Sequence, residues 1–478
     1  MTTPGNIEAS GPLGRIASID SVYFIGIGGI GMSALARYFH SKGVRVSGYD
    51  RTSTDLTKEL EAQGIAVHYS EDVSNIPKEV DLVVYTPAVP DDHAELRYYR
   101  EHGYPVVKRS DVLQAVSRDS YNICIAGTHG KTTISTMTAH VLRHSGYGCN
   151  AFLGGISVNY QTNFWSSERD VCVIEADEYD RSFLKLTPDI AVITAMDADH
   201  LDIYGDEKNM QDAFVQFGNQ VKPEGILISK FGLARVREIK AQSKMTYSLQ
   251  NDAADIYASD VKISGGGYTY NIHLPGAMIQ EAALRIGGMH NVENSLVAAA
   301  VAHELGIDHE QIRSGLDSFR GVKRRFEYII PPRQQEPGAY ISPVLVDDYA
   351  HHPEELNALL KSVRALFPQR VMTVIFQPHL FTRTRDLADG FARVLDTADN
   401  LVLLPIYPAR EEPIAGVTSE MILNKMRHAS REIVQKENLA AWMQDHQLNK
   451  EFGEVIVMAG AGDIDMLVQP LKKIIENK

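Results

Sequence analysis

The run Ala126-Gly127-Thr128-His129-Gly130-Lys131-Thr132-Thr133 constrains the fold of this chain more than any other stretch. It follows a short apolar segment over 121–125 and opens into Ile134-Ser135-Thr136-Met137-Thr138-Ala139, which reads as a helix. Strand, glycine-bearing loop, Gly-Lys-Thr and helix make the layout of a phosphate-binding loop. Backbone N–H groups and the helix N-terminus face an anion there, and the lysine reaches its terminal phosphates. The Thr132 hydroxyl is then placed to ligate magnesium. The usual pattern has a further glycine five positions before Gly130. Ile125 stands there instead, so the loop is a shortened variant.

At 478 residues the chain exceeds one hydrophobic core, and its length suggests about three domains of ~150 residues each. A formal net charge of −14 argues against a nucleic-acid partner, so phosphate must be met by local N–H-rich or basic sites. Cys124, Cys149 and Cys172 are scattered and odd in number, which predicts buried reduced thiols rather than a disulfide or zinc site. Residues 1–18 show no basic start with a long apolar core, and no stretch approaches ~20 apolar residues. Neither a signal peptide nor a membrane span is expected, and the compartment is expected to be the cytosol.

Strands alternating with helices predict an α/β fold of three domains. The first, 1–117, is Rossmann-like: a strand over 22–25, Gly26-Ile27-Gly28-Gly29-Ile30-Gly31, a helix over 32–41, and a strand over 44–49 ending in Asp50. Glycines at 26, 28 and 31 fit the G-x-G-x-x-G spacing, with an acid about 20 residues on, so a phosphate-bearing ligand is expected at this loop. A further strand over 81–85 precedes Thr86. The second domain, 118–325, is a parallel P-loop sheet for a mononucleotide. Its β-branched runs at 171–174, 190–193 and 225–228 suit strands buried on both faces. Residues 268–274 alternate instead, predicting an antiparallel excursion after the turn Gly265-Gly266-Gly267. The third domain, 326–478, is again Rossmann-like. A strand over 344–346 leads into Asp347-Asp348-Tyr349-Ala350-His351-His352-Pro353, and Pro353 opens a helix with Leu356, Leu359, Leu360, Val363, Leu366 and Phe367 on one face.

Several residues carry chemistry. Glu175 ends a buried strand beside the phosphate loop, where an α/β protein places a metal ligand. Asp177 and Asp180, just after it, are expected to face solvent or to stand one step from the metal. Asp197-Ala198-Asp199-His200-Leu201-Asp202 suggests a second divalent-cation site with His200 coordinating through a neutral ring nitrogen. Lys323-Arg324-Arg325-Phe326-Glu327 reads as a solvated linker face or as an arginine clamp on a phosphoryl group. Arg383 and Arg385, after Gln377-Pro378-His379, suit either a bound carboxylate or an ion-paired helix start.

Taken in order, Gly-Ile-Gly-Gly-Ile-Gly-Met-Ser, Gly-Thr-His-Gly-Lys-Thr-Thr, Glu-Ala-Asp-Glu, Asp-His-Leu-Asp, His-Asn-x-x-Asn at 290–294, Arg-Arg-Phe and Asp-Asp-Tyr-Ala-His-His-Pro resemble the Mur ligases, ATP-dependent amide-bond-forming enzymes of peptidoglycan synthesis. The resemblance covers essentially the whole chain. The opening loop is similar to the branch that adds L-alanine to UDP-N-acetylmuramate, and the alternative is the branch that recycles murein peptides. The resemblance implies that Gly26, Gly28, Gly29, Gly31, Met32, Asp50 and Thr86 bind the UDP-sugar. Gly127, Thr128, His129, Gly130, Lys131, Thr132, Thr133, Asn291, Asn294, Arg325 and Asp348 would bind ATP. Thr132, Glu175 and His200 would hold Mg2+ (or Mn2+), with Lys131, Glu175 and His200 catalytic. Tyr349, His351 and Arg383 would face the alanine, with Arg383 pairing its carboxylate. Leu380 departs from the pattern, since a basic residue is expected after His379. A monomer or weak homodimer is the expected assembly, with no nucleic-acid or membrane partner. A nicotinamide-dependent oxidoreductase, prompted by Gly26, Gly28, Gly31 and Asp50, leaves the Lys131 loop and Glu175 unexplained.

Overall fold

Strand β1 (Ser21–Ile25) is buried along its whole length and ends at Gly26, whose φ of +86° lets the chain turn sharply into a helix, Ile30–Ser41. Beside it lie β2 (Arg45–Tyr49), β3 (Ala66–His68), β4 (Leu82–Tyr85) and β5 (Val106–Lys108). All neighbours pair in parallel, in the order β3-β2-β1-β4-β5. The order reverses between β1 and β4, the switch point at which open α/β sheets bind ligands. The computed structural model describes residues 19–197, 201–333, 341–409, 411–427 and 430–478.

The second sheet is built from β6 (Tyr121–Ala126), β7 (Asn150–Ser157), β8 (Thr162–Trp165), β9 (Val171–Glu175), β10 (Ile190–Ile193), β11 (Ile226–Lys230) and β12 (Ser243–Ser248), in the order β12-β11-β10-β6-β9-β7-β8. The first residues of β13 (Ile256–Ser264) extend it, Ile256 pairing with Tyr247. Ile123, Cys124, Ile125, Val192 and Ile193 are wholly buried, as the continuous apolar runs require. The three cysteines are buried and free. Because β6 lies between β9 and β10, the phosphate loop leaves the sheet at a second reversal of strand order.

The chain divides into two compact units. One comprises Met1–Ile156, Tyr160–Tyr257 and Asn294–Gly315, and the other Ser157–Asn159, Ala258–Glu293 and Leu316–Lys478. In the second unit β14 (Gly267–Leu274) and β15 (Ala277–Leu284) form the expected antiparallel excursion. The third sheet contains β16 (Glu327–Ile330), β17 (Val344–Asp348), β18 (Val371–Phe376), β19 (Asn400–Leu403), β20 (Arg431–Ile433) and β21 (Glu454–Ala459), in the order β16-β17-β21-β18-β19-β20. Among the described residues of this sheet, β16 pairs antiparallel with β17 and the other strands pair in parallel. The helix Pro353–Leu366 buries Leu356, Leu359, Leu360, Val363 and Leu366 of the expected face, and Phe367 is buried just past its end as the C-cap. Among the described residues no helix is long and apolar enough to cross a membrane.

Candidate active site

The missing glycine at Ile125 has a simple structural reason. Ile125 is a wholly buried residue within β6, so the loop proper begins at Gly127. Gly127 has φ +125°, and a Cβ there would collide with the Thr194 hydroxyl. The loop is tied to the end of β10 by Thr194 N–H donating to Ala126 O at 3.0 Å and Thr128 N–H to Ala195 O at 3.3 Å. Gly130, at φ +80°, precedes the helix Lys131–His144 and stands where a Cβ would lie 3.1 Å from Asn294 Oδ1. The loop and Asn294 are therefore brought together. His129 Nε2 lies 3.4 Å from Asp197 Oδ2, both side chains largely exposed, and Thr133 is buried in the first helical turn.

Register places the carboxylates. Ile125 pairs with Glu175 across β6 and β9, which sets Glu175 beside the loop. Thr132 Oγ1 donates to Glu175 Oε1 at 2.8 Å, and the Gly154 N–H donates to Oε2 at 2.9 Å. A Cβ at Gly154 would overlap this carboxylate. Lys131 Nζ donates to Gly127 O and to Glu178 Oε1, each at 2.7 Å. Burial pushes the Glu178 carboxyl above its ordinary value, against the pull of Lys131. Glu178 was not assigned from the sequence, although it closes the Glu-Ala-Asp-Glu motif.

At the other edge of the same unit, the Gly28 N–H donates to Asp50 Oδ2 at 2.7 Å, so the acid after β2 holds the first glycine loop. A Cβ at Gly28 would come within 2.7 Å of that oxygen, and one at Gly26 within 3.1 Å of the Thr86 methyl. A cavity of about 350 Å³ joins this loop to the phosphate-loop side. It is lined by Gly29, Gly31, Met32 and Thr86 at one end and by Gly154 and Glu175 at the other. Lys108 and Arg109 form one wall, and Asp177 and Asp180 another. The two acids stand opposite these cations, each at 3.6 Å, while remaining partly open to solvent. Asp180 and Arg181 adopt φ of +56° and +54°, a strain of about 1–3 kcal/mol per residue.

In the second unit, Asp348 accepts from the N–H groups of Phe326 at 2.7 Å and Ala350 at 2.8 Å, and burial raises its carboxyl to about 6. Burial likewise raises Asp347 to about 7, against the pull of Arg324. The basic cluster divides its work. Arg324 donates to the carbonyls of Gly460 and Gly462 and lies over the Tyr349 ring, so it is structural, whereas Arg325 is exposed. Asn291 donates to Gly287 O at 2.6 Å. His351, His379 and Tyr407 form a ring cluster, with centroids 5.9 Å apart for the first pair and 5.8 Å for the second. Arg383 Nη1 donates to His379 Nδ1 at 3.2 Å, while Arg385 pairs with Asp386. Glu411, unmarked in the sequence, receives Thr382 N–H at 3.0 Å and holds the start of the helix Phe381–Leu395. His200 lies outside the described residues, as does most of the proposed second metal site.

Three family profiles match this chain: the Mur ligase family catalytic domain over residues 21–121, the Mur ligase middle domain over 125–302, and the Mur ligase glutamate ligase domain over 324–462. The chain belongs to the Mur ligase family. This Mur ligase is 46% identical over 462 residues to the UDP-N-acetylmuramate–L-alanine ligase of Porphyromonas gingivalis, covering 95% of this chain and 99% of that one. It is 46% identical over 473 residues to the corresponding protein of Cytophaga hutchinsonii, covering 97% and 98%. Among solved structures it resembles the UDP-N-acetylmuramate-alanine ligase of Thermotoga maritima, with TM-score 0.78, 28% identity, and coverage of 96% of this chain and 98% of that one. A murein peptide ligase from Psychrobacter arcticus shares the fold, with TM-score 0.62, 22% identity and coverage of 96% and 99%.

The phosphate loop of this Mur ligase suits a nucleotide and a hard cation. Among the described residues no group of three or more His, Cys, Asp or Glu could hold a metal ion. Magnesium needs none, since it keeps waters and takes one or two carboxylates together with substrate phosphates. The hydroxyl of Thr132 and the carboxylate of Glu175 are such an oxygen pair. The Thr128 hydroxyl is buried without a hydrogen-bond partner, a donor left for a phosphate oxygen.

Proposed function

We propose that this Mur ligase joins L-alanine to the muramoyl carboxylate of UDP-N-acetylmuramate, with ATP cleaved to ADP and phosphate, as an early cytoplasmic step of peptidoglycan synthesis. The observation that carries this is the 46% identity, over nearly their full lengths, to proteins of that named activity. The cavity that runs from the glycine loop to Glu175 supports it, because it ends at the carboxylate that Thr132 of the phosphate loop contacts.

A carboxylate is a poor electrophile because its leaving group would be oxide. Transfer of the γ-phosphoryl group makes an acyl phosphate as the bond to ADP breaks. The alanine amine then attacks the carbonyl, and the tetrahedral adduct expels phosphate. Alignment and charge neutralisation carry phosphoryl transfer, so no covalent nucleophile on the protein is required. Lys131 and the N–H groups of Gly127 to Thr133 would take the phosphates, with Asn294 alongside. Magnesium held by Thr132 and Glu175 would supply Lewis-acid stabilisation of the transferring charge, and His200 would serve a second ion. Asn291, Arg325 and Asp348 would complete the nucleotide site, and Tyr349, His351 and Arg383 the alanine site. The three-domain division at 1–117, 118–325 and 326–478 follows the same order of substrates: sugar nucleotide, ATP, amino acid.

The test is phosphate release from ATP with UDP-N-acetylmuramate and either L-alanine or a murein tripeptide as acceptor. Turnover is expected with L-alanine, and greater turnover with the tripeptide would overturn the assignment.

A further inference from the structure

Lys108 and Arg109 line the cavity, yet neither side chain donates a hydrogen bond to any described residue. Arg109 Nη2 stands 3.6 Å from Asp177 Oδ2, and Lys108 Nζ stands 3.6 Å from Asp180 Oδ2. A charge-assisted N–H···O contact closes to about 2.7–2.9 Å, so both pairs are loose. The same helix, Arg109–Ser117, shows what a closed contact looks like here. Lys185 donates to Ser110 Oγ at 3.0 Å and is in direct contact with Asp111. That contact fixes the wall from which Arg109 projects. Arg109 also lies against the first glycine loop, for a Cβ at Gly31 would come within 3.0 Å of its Nη1. One guanidinium thus stands between the N-terminal turn of the helix Ile30–Ser41 and Asp177.

We propose that Arg109, assisted by Lys108, takes the diphosphate of the sugar nucleotide, and that Asp177 and Asp180 compete with it for the two cations. This rests on the reading of the first loop as a sugar-nucleotide site. A helix N-terminus and a guanidinium converging on one point favour a multiply charged anion. The planar fork can engage two phosphate oxygens at once, which a single carboxylate at 3.6 Å does not offer. The left-handed pair Asp180 and Arg181 sets the second competitor opposite Lys108. The competition also has a use: three acids, Glu175, Asp177 and Asp180, line the cavity, and the two cations offset the repulsion a diphosphate would otherwise meet.

The experiment is calorimetric titration of the full-length enzyme with UDP and with UDP-N-acetylmuramate, without ATP. Arg109→Met is expected to weaken both ligands by about ten-fold or more, the scale of a lost bidentate phosphate contact. Asp177→Asn is expected to tighten both by about three-fold or more, a gain that misfolding cannot produce. In the Arg109→Met background, Asp177→Asn is expected to give a smaller gain, because relief of repulsion remains but no guanidinium is released. Unchanged binding in Arg109→Met, or no gain in Asp177→Asn, would overturn the proposal. Weakening of UDP-N-acetylmuramate with UDP unaffected would overturn the diphosphate assignment. A wild-type enzyme that binds neither ligand would instead overturn the sugar-nucleotide reading itself.

Discussion

Lys131 Nζ and Glu178 Oε1 lie 2.7 Å apart, and the Glu178 side chain is only 1% exposed. The phosphate-loop lysine therefore meets a carboxylate that water scarcely reaches, and each charge depends on the other. Lys131→Met should lower turnover by about 100-fold or more, the scale of losing one charge-stabilising group. It should also change the pH dependence of stability. Burial already holds the Glu178 carboxyl above 4.5, so its contribution to stability is fully present at low pH and lost as pH rises through the raised value. Without Lys131 nothing in the pair opposes that rise. The stability lost by the variant should therefore be larger at pH 8 than at pH 5, measured by thermal unfolding. Near-normal turnover would remove Lys131 from the chemistry.

Glu175 is expected to behave as a metal ligand. Glu175→Gln should cut turnover by about 100-fold or more and raise the magnesium concentration needed for half-maximal rate. Chelation should abolish activity in the wild type, and added magnesium or manganese should restore it. A Glu175→Gln enzyme with an unchanged magnesium profile would sink the assignment.

Gly154 offers a separate handle on the same carboxylate. Its φ is not in the left-handed region, so alanine there brings no backbone strain, only a methyl that overlaps Glu175. Gly154→Ala should lower turnover by about ten-fold or more while shifting stability modestly, since the carboxylate lies beside a cavity and can give way. Full activity in this variant would show that the position of Glu175 is not critical.

These residues show where reading the chain succeeds and where it stops. Gly127, Lys131, Thr132 and Glu175 were legible because a buried strand, a glycine turn and a helix start fix their places relative to one another. Glu178 was not, because three residues past a strand end nothing local reveals that the chain turns its carboxylate inward to Lys131. Arg109 was hidden for a related reason: its importance lies in facing Asp177, 68 residues away in sequence, across a cavity. In Lys323-Arg324-Arg325 the charges look alike, and only the fold separates Arg324, spent on Gly460 and Gly462, from exposed Arg325.

Asp347 should make stability fall with pH. Burial raises its carboxyl from 3.8 to about 7, so the stability it contributes is complete below about pH 4 and is lost as pH rises toward 7. Asp347→Asn keeps the shape and cannot ionise. The variant should match the wild type only near or below pH 4 and exceed it at pH 8, by an amount on the order of 1–3 kcal/mol once the partial pairing with Arg324 is allowed for. Denaturant unfolding at the two pH values measures the difference. Equal stabilities at pH 8 would mean that Arg324 fully compensates the charge.

The proposed alanine pocket has Leu380 after His379, where the resemblance implies a basic residue. His379 sits below its ordinary value, through burial first and then the nearby charges of Arg383 and His351, so it is neutral near pH 7. Its Nδ1 accepts from Arg383 Nη1 at 3.2 Å, which leaves the ring proton on Nε2 and fixes the guanidinium against the ring. Arg383 is then oriented with the rest of its fork free to meet a carboxylate. Arg383→Lys keeps the charge but loses the planar fork. It should raise the KM for L-alanine by about ten- to 100-fold with a smaller change in kcat. His379→Ala should move the same constant in the same direction, by less, because Arg383 remains but is no longer held. An unchanged KM for L-alanine in Arg383→Lys would place the acceptor carboxylate elsewhere and leave Arg383 a structural partner of His379.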